Sequence, residues 1–222
     1  MGLHEESSSN KTYLSIIGGK ITKRITEAEY NTASANNEEG YSVRELEKGP
    51  NKGSNVYEKQ FRGISGRIIS AKVESSDYGQ RVVIELLDGD VYVLGIPLDS
   101  RYANDIMFKW PNIDFDLDVY ISPWDFEDDE GKRRTGVTLK QDDTKVDRFW
   151  TKDNPGELPP AKKKKKGKET VWDFDEQQTF LVEYFEHKAK EIGDPTVVEP
   201  SAKEQALASN EPVDDYDDEL GF

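Results

Sequence analysis

The sequence predicts a mainly β protein built on a small five-stranded barrel, with a hairpin before the barrel and a helix after it. Apolar and polar residues alternate in five central segments, as they do on half-buried strands. Asp88-Gly89 joins two of these segments in a two-residue hairpin turn. A helix-like segment lies between the third and the fourth. These three observations predict the fold class.

The first predicted element is a hairpin, in which residues 13–17 and 20–25 flank a Gly18-Gly19 turn. Odd-numbered residues of the second strand should share one face and even-numbered residues the other. Residues 26–55 are rich in Asn, Ser, Glu and Gly, and we expect a long loop there.

The five barrel strands are predicted at Phe61–Glu74, Arg81–Leu87, Asp90–Ile96, Leu117–Phe126 (broken at Pro123) and Arg133–Lys140. A helix capped by Asp99 or Ser100 should run to about Lys109 and stop before Pro111. Three strands, one helix and two strands is the order of the OB-fold, whose ligand groove crosses strands two and three. The loops at 75–80 and 128–132 would flank that groove.

The predicted organisation has five parts. They are a disordered N-terminus (1–11), an OB-fold-like nucleic-acid-binding domain (12–150), a Pro/Lys-rich linker (151–171), an amphipathic helix (172–193) and a disordered acidic tail (194–222). The apolar stripe of the helix should dock on the barrel or on a second subunit, so a homo-oligomer is left open.

Charge is distributed unevenly along the chain, whose formal net charge is −15. Residues 11–72 carry eleven basic and seven acidic side chains, a net of +4, whereas residues 191–222 carry ten acidic and one basic, a net of −9. The overall acidity therefore does not exclude a polyanionic partner for the folded part.

A groove for single-stranded nucleic acid needs cations for phosphates and aromatic faces for bases. Tyr92 has valines on both sides and could face either way, and Phe108 and Trp110 are expected in the core. The candidate single-stranded DNA-binding residues are Lys20, Lys23, Arg24, Tyr57, Lys59, Phe61, Arg62, Arg67, Lys72, Tyr78, Arg81, Tyr92, Arg101, Arg133 and Arg134.

The C-terminal tail combines dense acidic charge with an apolar end. Such a segment cannot form a core, but its end could enter an Arg-rimmed apolar pocket on a partner. A purely solubilising tail is the alternative. The partner-binding candidates are Asp214, Asp215, Asp217, Asp218, Glu219, Leu220 and Phe222.

This layout resembles the bacteriophage single-stranded DNA-binding proteins, which join an OB-fold core to an acidic, Phe-terminated tail. The stretches YLSIIGGKITKRI, DGDVYVLGIPLDSRYA, EDDEGKRRTGVTL and DDYDDELGF carry the resemblance. It implies sequence-independent binding of single-stranded DNA and recruitment of replication, recombination and repair proteins through the tail. Bacterial members have Pro at the penultimate position, where this chain has Gly221.

Enzymatic signatures are weak. The chain has no Cys and two His, and neither a catalytic triad nor a phosphate-binding loop is found, so no enzyme, metal site or cofactor is expected. Asp114, Asp116 and Asp118 alternate, which fits a solvated acidic edge better than a Mg²⁺ site. No apolar run is long enough to span a membrane, and we expect a cytoplasmic protein, in the host cytoplasm if it is viral. The alternative function is a non-enzymatic β-barrel adaptor for another phage or replication protein.

The tail yields the first prediction. Deleting residues 211–222 should raise DNA affinity at low salt, because six acidic side chains no longer compete for the basic surface. Phe222→Ala keeps every side-chain charge, so it should leave DNA affinity unchanged and abolish partner capture in pull-downs from infected cells. Identical prey for wild type and Phe222→Ala would leave only the solubilising role.

Overall fold

The computed structural model describes residues 11–47, 49, 51–76, 79–166 and 169–193, and those up to Ile192 belong to one compact unit. The strands are β1 (Lys11–Ile17), β2 (Lys20–Ile25), β3 (Tyr41–Glu45), β4 (Asn55–Phe61), β5 (Ile64–Ser76), β6 (Gly79–Asp88), β7 (Asp90–Pro97), β8 (Asp118–Glu127), β9 (Arg133–Gln141), β10 (Thr144–Lys145), β11 (Lys162–Lys166) and β12 (Glu169–Asp173). The helices are α1 (Glu27–Ala35), α2 (Arg101–Lys109) and α3 (Asp175–Lys188), with 3₁₀ turns at Trp110–Asn112 and Ala189–Glu191. The mainly β class is confirmed. The expected disordered N-terminus (apart from Lys11) and acidic tail lie outside the described residues.

The first ten strands form one mixed sheet in the order β10-β9-β8-β5-β6-β7-β1-β2-β4-β3. The five predicted barrel strands are β5 to β9, neighbours in the order β9-β8-β5-β6-β7, with α2 between β7 and β8 as expected. They do not close into a five-stranded barrel. The free edge of β7 pairs instead with β1, in parallel, so the first hairpin extends the sheet.

The edge of β9 that faces away from β8 is covered by other groups. Near its end, β10 pairs with it. At Val137, Asp105 of α2 accepts the backbone N–H at 2.8 Å, and Lys109 of α2 donates to the carbonyl. Because an uncovered edge leaves backbone groups unpaired, these two helix side chains take the place of a neighbouring strand.

Asp105 accepts hydrogen bonds from three side-chain nitrogens in addition to the Val137 N–H. Lys109 Nζ lies 2.7 Å from Oδ2, and Arg148 Nε and Nη2 lie 2.8 and 2.6 Å from Oδ1. Burial raises the pKa of this carboxyl, but the bonds from Lys109, the Val137 N–H and Arg148 outweigh it and hold the pKa below its usual value. The buried charge is therefore fully paired.

The tip of the first hairpin packs against β8. A Cβ added to Gly19, whose φ is +74°, would lie 2.5 Å from the Asp125 nitrogen. The Gly19 N–H donates to the Tyr102 hydroxyl at 3.0 Å, and that hydroxyl lies 3.3 Å from Asp125 Oδ2. Only glycine permits both this close approach and this backbone conformation.

The predicted loop at 26–55 is wrong, because the segment contains α1 and β3. Thr26 and Glu29 form a capping box that starts α1, a signal present in the sequence. β3 pairs with β4, which a local pattern does not reveal. The predicted break at Pro123 is also absent, since β8 is continuous. Its pairing with β5 ends at Ile121, so β8 has a hydrogen-bonded strand on only one side at Pro123.

The predicted linker at 151–171 is not wholly irregular, because β11 and the start of β12 lie within it. The predicted C-terminal helix is present as α3, and it docks on its own chain. Leu181 and Phe185 are buried in the main core, where the Phe185 ring lies 4.3 Å from that of Trp110. Trp110 is fully buried and Phe108 packs against the core, as predicted.

The covered β9 edge yields a stability prediction. Asp105→Asn should lower the free energy of unfolding by about 3–5 kcal/mol, because it leaves the Lys109 ammonium buried without its counter-charge. The pKa of Asp105 is lower in the folded protein than in the unfolded chain, where it is near 3.8. The contribution of Asp105 to the free energy of unfolding is therefore complete above the unfolded pKa and is lost as pH falls through the folded pKa. The difference between wild type and variant in urea melts should therefore shrink below pH 3.8.

Asp147→Asn is the matched control, since the Asp147 side chain is 81% exposed and lies 3.7 Å from Lys145 at the surface, so its loss should change stability little. Equal effects of the two variants, or a difference independent of pH, would contradict the role given to Asp105.

Candidate nucleic-acid interface

The sheet has two faces, which the strand registers define. The inner face carries the core side chains, among them Leu14, Ile84 and Leu94. The outer face is the opposite one. The predicted alternation in β2 is present, with Ile21, Lys23 and Ile25 inside and the even-numbered residues outside.

The fifteen candidate residues divide between these faces. Those on the outer face are Lys20, Arg24, Arg67, Lys72, Arg81 and Arg134. Those on the inner face are Lys23, Tyr57, Lys59, Phe61 and Tyr92. Arg62, Arg101 and Arg133 lie at the ends of elements, and Tyr78 lies outside the described residues. The candidates therefore do not line a single groove.

The inner-face group lies beyond the edge of the core. Lys59 Nζ lies 5.0 Å from the centroid of Tyr41 and 5.7 Å from that of Phe61, and a hydrogen bond with Tyr41 raises the pKa of the lysine. An adjacent cavity of about 390 Å³ is lined by Lys23, Phe61 and Tyr92 but also by Asp88 and Asp90. The lining of this cavity therefore carries both signs of charge.

Several predicted cations already have acidic partners. Arg133 donates to both oxygens of Asp125, with Nη2 2.6 Å from Oδ2, and this lowers the pKa of Asp125. Arg134 Nε lies 2.7 Å from Asp128, whose pKa it lowers in the same way. Both arginines are exposed, but the side chains of Asp125 and Asp128 are only 8% and 21% exposed, so neither is a fully exposed ion pair.

The clearest aromatic surface lies outside the predicted site residues. Tyr120, Trp124 and Phe126, here called the aromatic strip, point outward along β8 and are 38%, 36% and 54% exposed. The ring centroids of Trp124 and Phe126 lie 5.4 Å apart. Val119 and Ile121 alternate with these rings in the sequence, and this alternation indicates an exposed aromatic face. The predicted break at Pro123 separates Tyr120 from Trp124 and Phe126 and so hides it.

Cations flank the aromatic strip on the neighbouring strands. Arg134 lies opposite Phe126, Lys140 lies opposite Tyr120, and Lys145 lies beside Lys140. Within the described part of the chain, no carboxylate lies within ion-pairing distance of Lys140. On the other side Arg67 is 4.0 Å from Asp118, at the limit of an ion pair. We call Arg67, Arg134, Lys140 and Lys145 the cationic flank.

Gly136 gives Trp124 its position. A Cβ at residue 136 would lie 2.4 Å from Cζ2 of Trp124, so the indole lies directly over the glycine. Beside the ring opens a cavity of about 460 Å³ that is lined by Lys145 and Arg148 and also by Asp105 and Asp147. The arrangement offers a flat aromatic surface next to cationic groups, which suits a nucleobase with its phosphate.

The alternating aspartates do not lie together on one strand. Asp114 and Asp116 lie before β8, with the Asp116 N–H bonded to Asp114, and no metal-binding group of three acidic or His side chains occurs among the described residues. None of the helices in the described ranges is long and apolar enough to cross a membrane. Comparison of the chain with protein-family models, curated proteins and solved structures gives no match.

The position of Trp124 yields a prediction that needs no ligand. Gly136→Ala should displace the indole, because its methyl group would occupy the space of the ring. In a Trp172→Phe background, acrylamide quenching should then report on Trp124, since Trp110 and Trp150 are buried. We expect a changed quenching constant for Gly136→Ala and none for Gly193→Ala, where an added Cβ meets nothing within 4 Å. Unchanged quenching would show that the ring does not lie on Gly136.

Proposed function

We propose that this chain binds single-stranded DNA without sequence preference, and that the aromatic strip with its cationic flank is the main contact. The observation that carries the proposal is three exposed rings on one face of a single strand, beside four cations. Soluble proteins rarely expose aligned aromatic side chains without a binding role.

Stacking supplies the sequence-independent part of the proposed affinity. Each base stacked on an aromatic side chain contributes about 1–3 kcal/mol, and every base has a flat face to offer. In a duplex these faces are already stacked on neighbouring bases. The strip should therefore favour single strands.

Phosphate contacts supply the salt-dependent part. Lys140 is available, and Arg67 and Lys145 have exposed partners that a phosphate can replace. Arg134 is itself exposed, beside the partly buried Asp128. Counterions released from the strand would drive binding, with a slope of log K against log salt of about −0.7 per phosphate.

The order of β5 to β9 around α2 supports an OB-fold-like core, opened between β7 and β9 by the first hairpin. In this proposal the strand lies across β8 and β9 rather than across the second and third strands of the core. Three of the candidate arginines, Arg62, Arg67 and Arg81, then have different positions. The Arg62 carbonyl accepts a hydrogen bond from the Ser122 hydroxyl, so Arg62 lies beside β8, and Arg67 belongs to the cationic flank. Arg81 lies elsewhere on the outer face, over Gly95.

Recruitment of replication or recombination proteins through the acidic tail remains part of the proposal, on the strength of the sequence. The second candidate is a non-enzymatic adaptor, for which the exposed rings would contact a protein. Binding to poly-dT that weakens steeply with salt favours the first candidate. If the chain does not bind poly-dT at low salt, the adaptor function is favoured instead.

The aromatic strip yields a direct prediction. Trp124→Ala and Phe126→Ala should each weaken poly-dT binding by about 1–3 kcal/mol, because each removes a stacking surface. Phe149→Ala is the matched control, since that ring is 44% exposed but lies outside the strip. Fluorescence anisotropy with labelled poly-dT and with a duplex measures both effects. Equal losses for all three variants would overturn the assignment of the strip.

A further inference from the structure

The hairpin of β11 and β12 lies outside the large sheet and outside the aromatic strip. All five residues of β11 are lysines, and β12 pairs with it in antiparallel register. Lys163 lies opposite Trp172 and Lys165 lies opposite Thr170. Directly opposed residues share a face, so these four form one surface, here called the lysine–tryptophan face.

The two faces of the hairpin differ in how their charges are paired. On the opposite face Lys162 forms an ion pair with Glu176, and Lys164 lies 3.4 Å from Asp173. On the lysine–tryptophan face no carboxylate within the described ranges pairs with Lys163 or Lys165. Lys163 Nζ lies 5.2 Å from the centroid of Trp172 instead.

Trp172 is 56% exposed, the most exposed tryptophan of the described chain. An isolated two-stranded hairpin is marginally stable in water, and five adjacent lysines repel one another. A bound polyanion would offset this repulsion. An exposed indole beside cationic groups is also the combination that the aromatic strip presents.

We propose that the lysine–tryptophan face is a second contact for single-stranded nucleic acid. Lys163 and Lys165 take two phosphates, and Trp172 stacks on one base. This inference rests on the proposed function, because it requires the same ligand. It extends the binding surface to a segment that the sequence analysis treated as a linker.

The charge test compares two variants of the full chain with the same change in net charge. Lys163→Ala/Lys165→Ala removes the two unpaired lysines, whereas Lys162→Ala/Lys164→Ala removes the two that have acidic partners. For poly-dT, the first variant should reduce the magnitude of the salt slope by about 1.4, or about 0.7 for each lost phosphate contact. The second should change it less. Equal slopes for the two variants would overturn the inference.

The stacking test uses intrinsic fluorescence at saturating poly-dT. Trp110 and Trp150 are 0% and 3% exposed, so quenching should come from Trp124 and Trp172. If Trp172 stacks on a base, Trp172→Phe should lower the fraction of fluorescence that is quenched. If Trp172 takes no part, the same substitution removes unquenched emission and the fraction rises, which overturns the inference.

Failure of this inference can be told from failure of the proposed function. If wild type does not bind poly-dT, or if Trp124→Ala binds it as tightly as wild type does, the proposed function fails. If Trp124→Ala weakens binding while the lysine–tryptophan variants behave like their controls, only the second contact is lost. Binding of an acidic protein to this face without any change in Trp172 emission on adding poly-dT would also overturn it.

Discussion

The buried carboxylate of Asp105 is the constraint on which the rest of the structure depends. It joins α2 to the β9 edge and to Arg148 beyond β10. A carboxylate can enter the interior only when donors satisfy it. With these donors in place, β9 needs no further strand at Val137. The edge of β7 pairs with β1 of the first hairpin.

Insertion of that hairpin has two consequences for function. The hairpin connects β7 with β4 and β3 in one ten-stranded sheet, and the candidate cations are spread along this sheet. The hairpin tip also packs on β8 at Gly19, which supports the strand that carries the aromatic strip. Gly136 completes that support from the other side, because it leaves room for the Trp124 ring.

Much of the fold was predictable because it follows from local pattern. The strands of the core, the cap of α2 at Ser100 and the apolar stripe of α3 all came from residue spacing. The site was predicted less well. The alternation that separates Lys23 from Arg24 was predicted, but the candidate cations of different strands were grouped into one groove, and the registers of those strands place them on two faces. The aromatic strip was not predicted because Pro123 was expected to break the strand. Proline, which has no N–H to donate, is tolerated at this position because β8 has a hydrogen-bonded neighbour on only one side there.

The sequence by itself determined the mainly β class, the positions of most strands and the separation of a basic-leaning N-terminal part from an acidic end. These properties depend on residues close together in the chain. Only the tertiary structure decided which edge β1 joins, where α2 lies and which rings remain exposed. Those outcomes depend on residues far apart in the chain, such as Asp105 with Val137 and Arg148, or Trp124 with Gly136. These contacts form only when distant strands pack together, and the alternation of residues along one strand does not predict them.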